Sequence, residues 1–396
     1  YSFYAKDDPS FSSLNSLDQF LLKKQIDLQS GSLDFRLKEN PASIFSSLAD
    51  CIRKSSSLWN SQNILFLLDD VSTRYLNEED VCELVSELLF SVEGCSFKFT
   101  TEAQTLELVI KAPGQVSKAW SGRDYQVFDF GHEVSRILRG KGPNKGVNFL
   151  AGILDRRSKY FSGHPSFKPV DILGNTSLVE IGRTIASSQS NSKERKEVYS
   201  GLSSLAAVCV GDIGDAISLY DEILRRKNGI IPIPAGVQSE CFQNYCSRKL
   251  YDLSRRTSNL KDFALQFSKA ARHLLIESFK KNPDGRLRQY TQIYIRITTG
   301  SRGAQIQRLR ELIDSGVFVL EGGIGAPRTK TRDSDPITQF KLRFRKLLGL
   351  SSYIPLGDRD RFELSGDQLN EWLNHPENGC DVLLRNFSSL EEEEDI

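Results

Sequence analysis

Two adjacent carboxylates, Asp69 and Asp70, end an uninterrupted apolar run, Ile64–Leu68, in the stretch NILFLLDDVSTRY. About thirty residues later the stretch FKFTTE ends in two hydroxyls, Thr100 and Thr101. Phosphoryl chemistry on ATP needs Mg2+ held by a carboxylate at the C-terminal tip of a rigid strand, facing the crevice above a parallel sheet. In that chemistry Asp69 would hold the ion through water and Asp70 would polarise the attacking water. Thr100 and Thr101 would reach the γ-phosphate from the neighbouring strand. Arg74, just past the acids, would contact a phosphate of its own or a neighbouring subunit. Each element also has a plainer reading: a buried strand entering a polar turn, threonines at a strand end, a solvated loop arginine.

These residues need a scaffold, and the periodicity supplies one. Ser43–Arg53 is amphipathic. Ile64–Leu68 is apolar throughout, as a strand buried on both faces of a parallel sheet would be. Asn77 followed by three acids reads as a helix start, and VCELVSELLF supplies an apolar helical face. Ser96–Thr100, Leu106–Ile110 and Tyr125–Phe130 read as further strands. Strand, helix, strand at this spacing is the pattern of an α/β unit with parallel pairing. After about Gly131 the chain turns helical, with Glu133–Leu138, Leu178–Ala186, Lys193–Cys209 and Asp215–Lys227; the last two flank the turn Gly211-Asp212-Ile213-Gly214. GIIPIPAG, residues 229–236, reads as a linker. Beyond it come helices at Ser239–Ser254 and Leu260–Phe279, a strand at Gln292–Thr298, a helix at Gly303–Ser315 stopped by Gly316, a short strand from Phe318, and a last helix capped by Ser365 or Asp367. The expected organisation is residues 1–131, 132–228 and 229–390, with an acidic tail at 391–396.

Composition narrows the classes. Of 396 residues 39% are hydrophobic and 26% charged, which is ordinary for a globular chain, and the net charge of +1 gives no global field toward nucleic acid or membrane. There is no long apolar run of membrane-spanning type and no signal-peptide layout at the start. Seven scattered cysteines without a CxxC pair, and four dispersed histidines, argue against a disulfide framework or a zinc site and for a reducing, cytoplasmic setting. No methionine occurs, not even at position 1. The expectation is therefore that these residues are not the whole gene product.

In order along the chain, LLDDV and then FKFTTE resemble the Walker B and sensor-1 pair of AAA+ and STAND P-loop ATPases. GDIGDAISLYDEIL, residues 211–224, resembles the sensor-2 helix in the lid of origin-recognition-complex-like AAA+ ATPases, which carry a winged helix after the lid. The resemblance implies an α/β P-loop NTPase core with a parallel sheet, a helical lid and a winged-helix domain. It implies ATP and Mg2+ as cofactors, with Asp69 at the metal and Gly211 and Asp212 near the nucleotide. It also implies self-association into oligomers and a prokaryotic defence or DNA-transaction role, with an effector protein as a possible partner. Three departures qualify it. No GxxxxGK[ST] loop is present, so that loop is either lost, leaving a degenerate site, or lies upstream of Tyr1 or in a missing segment near the N-terminus. Gly214 and Asp215 stand where a lid arginine is expected, and Glu102 follows the paired threonines where STAND proteins often have arginine. A slow, switch-like ATPase is implied rather than a fast motor.

The C-terminal third is basic: residues 301–350 hold ten Lys or Arg against five Asp or Glu. On a winged helix, Gln305, Gln307, Arg308 and Arg310 would lie on the groove-entering helix and Arg328, Lys330 and Arg332 on the wing, contacting double-stranded DNA. A solvated amphipathic helix and basic loop is the plainer reading. Two further readings stay open: a DNA-binding, replication-initiator-like factor tuned by nucleotide, and a nucleotide-free scaffold with a degenerate P-loop fold.

Overall fold

The computed structural model describes residues 41–55, 57–72, 76–90, 95–101, 125–128, 145–162, 167–188, 197–208, 212–226, 230–256, 259–297, 305, 308–309, 311–313, 315–320 and 338–388. The chain forms two compact units, Tyr1–Val127 and Phe128–Ile396. The strand expected at Leu106–Ile110 and the helix expected at Glu133–Leu138 lie outside the described residues. No helix among the described residues is long and apolar enough to cross a membrane.

In the first unit, helix α1 (Pro41–Ser55) precedes strand β1 (Ile64–Leu68), helix α2 (Glu78–Phe90) and strand β2 (Cys95–Phe99). The strands pair in parallel, Ile64 with Cys95 through Leu68 with Phe99. The expected cap of α2 is present, since Asn77 Oδ1 accepts the Asp80 N–H at 2.9 Å. One face of the pair is covered. Phe45 of α1 meets Phe66 and Phe97 edge-on, each with ring centroids 5.1 Å apart. Val81 and Val85 of α2 pack on Val71, Leu68 and Phe99. The other face differs from the sequence expectation: Leu65 is 46% and Leu67 72% exposed, because no described element packs there.

The second unit is mostly helical: α3 (Lys145–Ser162), α4 (Pro169–Leu173), α5 (Leu178–Ser187), α6 (Gly201–Val208), α7 (Ile213–Arg225), α8 (Ala235–Arg256) and α9 (Leu260–Lys281). The helix expected over Lys193–Cys209 begins only at Gly201. That glycine has φ +83°, and a Cβ there would stand 2.7 Å from the Thr176 backbone nitrogen, so the chain turns at this point instead of running straight. The expected linker is also tied down. Ile233 N–H donates to Ile172 C=O at 2.8 Å, and buried Gln238 donates to Leu173 C=O at 2.9 Å and Ile233 C=O at 2.7 Å. With Gln238 also accepting the Gly201 N–H at 2.9 Å, one amide closes three backbone groups that burial would otherwise leave unpaired.

A four-stranded sheet follows, made of β3 (Tyr290–Ile297), β4 (Phe318–Leu320), β5 (Thr338–Phe344) and β6 (Asp360–Ser365), in the order β4-β5-β3-β6. β3 runs antiparallel to β5 and parallel to β6, and β4 is antiparallel to β5. Between β3 and β4, residues 305, 308–309 and 311–313 are helical, and Gly316 at φ +75° lets the chain turn away. Helices α10 (Gly366–Asn374) and α11 (Gly379–Ser388) close the unit. Ser365 caps α10 in a reciprocal box with Gln368. Phe267 of α9 sits at the centre, 4.5 Å from Phe344, 5.4 Å from Phe362 and 5.5 Å from Phe318 between ring centroids. Each such ring contributes about 1.5–3 kcal/mol by leaving water. One apolar cluster runs from Leu150 to Leu383.

At the end of β5 this unit buries charge. Lys346, 1% exposed, donates to Leu356 C=O at 2.6 Å and lies 2.7 Å from Asp358. Arg343 approaches the other Asp358 oxygen at 3.1 Å, and Thr291 donates to the carboxylate at 2.8 Å. Burial pulls the Lys346 amine below its ordinary value against the pull of Asp358. Burial alone would raise the Asp358 carboxyl, but the Lys346 and Arg343 charges and the hydrogen bonds outweigh it and hold it low.

Candidate functional site

The register of the parallel pair brings the first candidate residues together. Leu68 lies opposite Phe99, so the residues that follow, Asp69 and Thr100, leave adjacent strand tips. The backbone ladder continues past the strands: Thr100 N–H donates to Leu68 C=O at 3.0 Å, and Val71 N–H to Thr100 C=O at 2.9 Å. The side chains close the same turn. The Thr100 hydroxyl donates to Asp69 Oδ1. The Asp70 N–H reaches Asp69 Oδ1 at 3.1 Å and Thr100 Oγ1 at 2.9 Å. Asp70 adopts φ +56°, a left-handed conformation that aspartate tolerates better than most side chains. Buried Val71 and Ser72 then anchor the chain below the tip.

The result is one carboxylate fixed through a single oxygen. Asp69 Oδ1 is fully engaged, whereas the hydrogen bonds and ion pairs of the described residues leave Asp69 Oδ2 and both Asp70 carboxylate oxygens to solvent. No group of three or more metal-ligating side chains occurs among the described residues. Two carboxylates presenting hard oxygens fit Mg2+, which keeps several waters and is typically held by one or two carboxylates plus substrate phosphates. Asp69 would hold such an ion. Thr101 follows Thr100 and is half-buried. Arg74 lies outside the described residues.

The second candidate group lies on the other unit. Gly211 is outside the described residues; Asp212 is the N-cap of α7, its Oδ1 accepting the Asp215 N–H at 3.2 Å. Its other oxygen lies 2.7 Å from Arg345, a residue that the GD turn gives no hint of. The same guanidinium pairs with Asp215, which also takes Lys249 at 2.9 Å and the Tyr245 hydroxyl at 3.0 Å. Burial and then the Asp215 charge push the Tyr245 phenol up. Burial pulls the Lys249 amine down, but the bond and charge of Asp215 overcome it and leave the amine raised. The acids of the GD turn are thus joined to the loop after β5, and the pairing spans 133 residues for Asp212.

Of the basic candidates, Arg308 is half-buried. With Glu311 and Asn259 it lines a small cleft floored by Leu260, Phe263, Leu312 and Leu373. Gln305 is buried and donates to Gly366 C=O at 3.2 Å, so it faces the core. Arg310, Arg328, Lys330 and Arg332 lie outside the described residues. Cations at Arg296 and Arg361, on β3 and β6, were not signalled by the basic count over 301–350. Comparison with protein-family models, with curated proteins and with solved structures finds no match for this chain.

Proposed function

We propose that the first unit is the ATP-binding core of a slow, switch-like ATPase of the AAA+/STAND type, with Asp69 facing Mg2+ and Asp70 facing the attacking water. The observation that carries this reading is the Asp69–Thr100–Asp70 turn at the tip of two parallel strands. There one carboxylate oxygen is held and three are left for a cation and its waters. Bound with ATP, the ion would neutralise charge developing on the γ-phosphoryl group. The protein's own part is positional. Thr100 fixes the Asp69 carboxylate, and the left-handed turn at Asp70 sets where its carboxylate stands. The reading requires a phosphate-binding loop in the intact protein; the sequence here holds no GxxxxGK[ST].

The test uses the intact protein. ATP with Mg2+ should raise its melting temperature by mass action, by the equivalent of about 2.7 kcal/mol at a hundredfold excess over Kd, and EDTA should remove the effect. Asp69→Asn and Asp70→Asn should abolish turnover. An absent thermal shift, or turnover unchanged in both variants, would overturn the assignment.

We propose further that nucleotide state governs self-association and the presentation of the second unit to DNA or to an effector protein, in the manner of a winged helix. What favours this is the antiparallel hairpin of β4 and β5 beside β3, with Arg328, Lys330 and Arg332 on the connection between its strands in sequence. Replacing those three by glutamine should weaken duplex binding uniformly across sequences. Unchanged affinity would remove the wing from the reading.

A further inference from the structure

The two faces of the four-stranded sheet differ in kind. Ile293, Ile295, Leu342, Phe344, Phe362 and Leu364 turn into the core. The alternate positions face outward, and the register aligns them: Tyr294 stands beside Lys341 on β5 and Glu363 on β6, and Gln292 beside Arg343 and Arg361. With Arg296 two residues along β3, the described strand residues of this face carry four cations and one carboxylate, Glu363.

Its centre is organised by a ring. The guanidinium of Arg296 lies 5.2 Å from the Tyr294 ring centroid and that of Arg361 5.1 Å from it. Tyr294 is only 8% exposed beneath them, while both arginines remain exposed. Glu363 sits between the two, 3.2 Å from Arg361 and 3.9 Å from Arg296, so one carboxylate is shared by two guanidiniums. Lys341 is exposed and takes no ion pair among the described residues. Arg343 is committed to Asp358. Among the described strand residues three cations therefore face solvent against the single acid Glu363, and two of them are held in place by the ring. A guanidinium already fixed loses less freedom when it binds a phosphate.

The spread of the charges selects the partner. Neighbouring strands lie about 4.8 Å apart, and alternate residues along a strand about 7 Å, so Lys341, Arg361 and Arg296 span on the order of 10 Å. A single phosphate cannot meet all three; a repeating phosphodiester can. Among the described residues the face also offers no open aromatic ring, since Tyr294 is covered by its arginines. Unpaired bases would find no stacking platform of the kind single-strand binders use. We propose that this outer sheet face, with Arg296, Lys341 and Arg361, binds the phosphate backbone of double-helical nucleic acid. Its residues are other than Arg308, Arg310, Arg328, Lys330 and Arg332, and the proposal does not depend on the nucleotide site.

The experiment is fluorescence anisotropy of the intact protein with a labelled mixed-sequence DNA duplex, its single strand, and anionic phospholipid vesicles as a comparison, over a salt series. Wild type should bind the duplex most tightly, with affinity falling steeply with salt. The triple variant Arg296→Gln/Lys341→Gln/Arg361→Gln should flatten the slope of log K against log salt by about 2.7, at about 0.9 for each phosphate no longer neutralised. Glu363→Gln should tighten binding, and it decides the matter if the triple variant fails to fold. The wing variant Arg328→Gln/Lys330→Gln/Arg332→Gln separates the two surfaces: if it alone removes binding, the sheet-face proposal fails. It also fails if wild type shows no salt-dependent duplex binding, if the single strand or vesicles are preferred, or if a folded triple variant keeps the wild-type slope.

Discussion

Thr100→Val separates the site's chemistry from its stability. Valine matches threonine in shape and keeps the backbone ladder, in which the Thr100 N–H and C=O pair with Leu68 and Val71. What it removes is the hydroxyl, which donates to Asp69 Oδ1 and accepts the Asp70 N–H at 2.9 Å. A hydrogen bond to a charged acceptor contributes about 1.5–3 kcal/mol when buried. Here both aspartates are exposed and water can replace the hydroxyl, so the cost to folding should be no more than about 1 kcal/mol. The functional cost should be larger. Groups that orient a metal-facing carboxylate typically change metal affinity by about 10–100-fold when removed. The assay is a Mg2+ titration of the ATP-induced thermal shift, run beside urea unfolding of the ligand-free protein. Thr100→Val should move the Mg2+ midpoint upward by at least an order of magnitude and leave the unfolding midpoint nearly in place. Thr100→Ser should restore the midpoint. An unchanged Mg2+ midpoint in a folded Thr100→Val protein would refute the claim that this hydroxyl positions Asp69.

Asp358→Asn should destabilise the second unit by about 3 kcal/mol, because it leaves Lys346 and Arg343 as neighbouring buried cations; that is the low end for a broken buried pair, since the carboxylate is 27% exposed. Calorimetry of Asp358→Asn/Lys346→Met should recover much of the loss, and no recovery would deny the charge argument. On the acid side, Asp358 has a folded pKa below its unfolded one, so its stabilisation is present above about pH 4 and is lost as pH falls through the folded value. Urea melts from pH 6 to 2 should therefore show a steeper acid loss for wild type than for Asp358→Asn. Arg345→Met should cost about 2 kcal/mol, leaving Asp215 to Lys249 and Tyr245, while Asp212→Ala should cost about 1 kcal/mol as a lost cap. If Asp212→Ala instead abolished the ATP response without loss of stability, Asp212 would belong to the nucleotide site.

Much of the framework was legible because it is local. Strand β1 falls on Ile64–Leu68, where the apolar run placed it, and α2 starts at the Asn77 cap. Helix α5 covers the periodic stretch from Leu178, and α10 begins after Ser365. In each case a few consecutive residues satisfy their own backbone or repeat at the period of the element. Helices α3, α4 and α11 carry weaker signals in the sequence. α4 is only five residues long, too short for periodicity to register.

The sequence by itself determined that two acids would sit at the end of a strand and two threonines at the end of the next. Only the tertiary structure decided that Thr100 grips Asp69 through one oxygen and leaves the other free, because that depends on strand register. Nor could spacing announce that Asp212 and Asp215 meet Arg345, or that Tyr294 gathers Arg296 and Arg361. A helix or strand is chosen by the free energy of its own neighbours in sequence. A buried charge is matched by whichever opposite charge the packed chain brings within reach, however far away it lies along the chain.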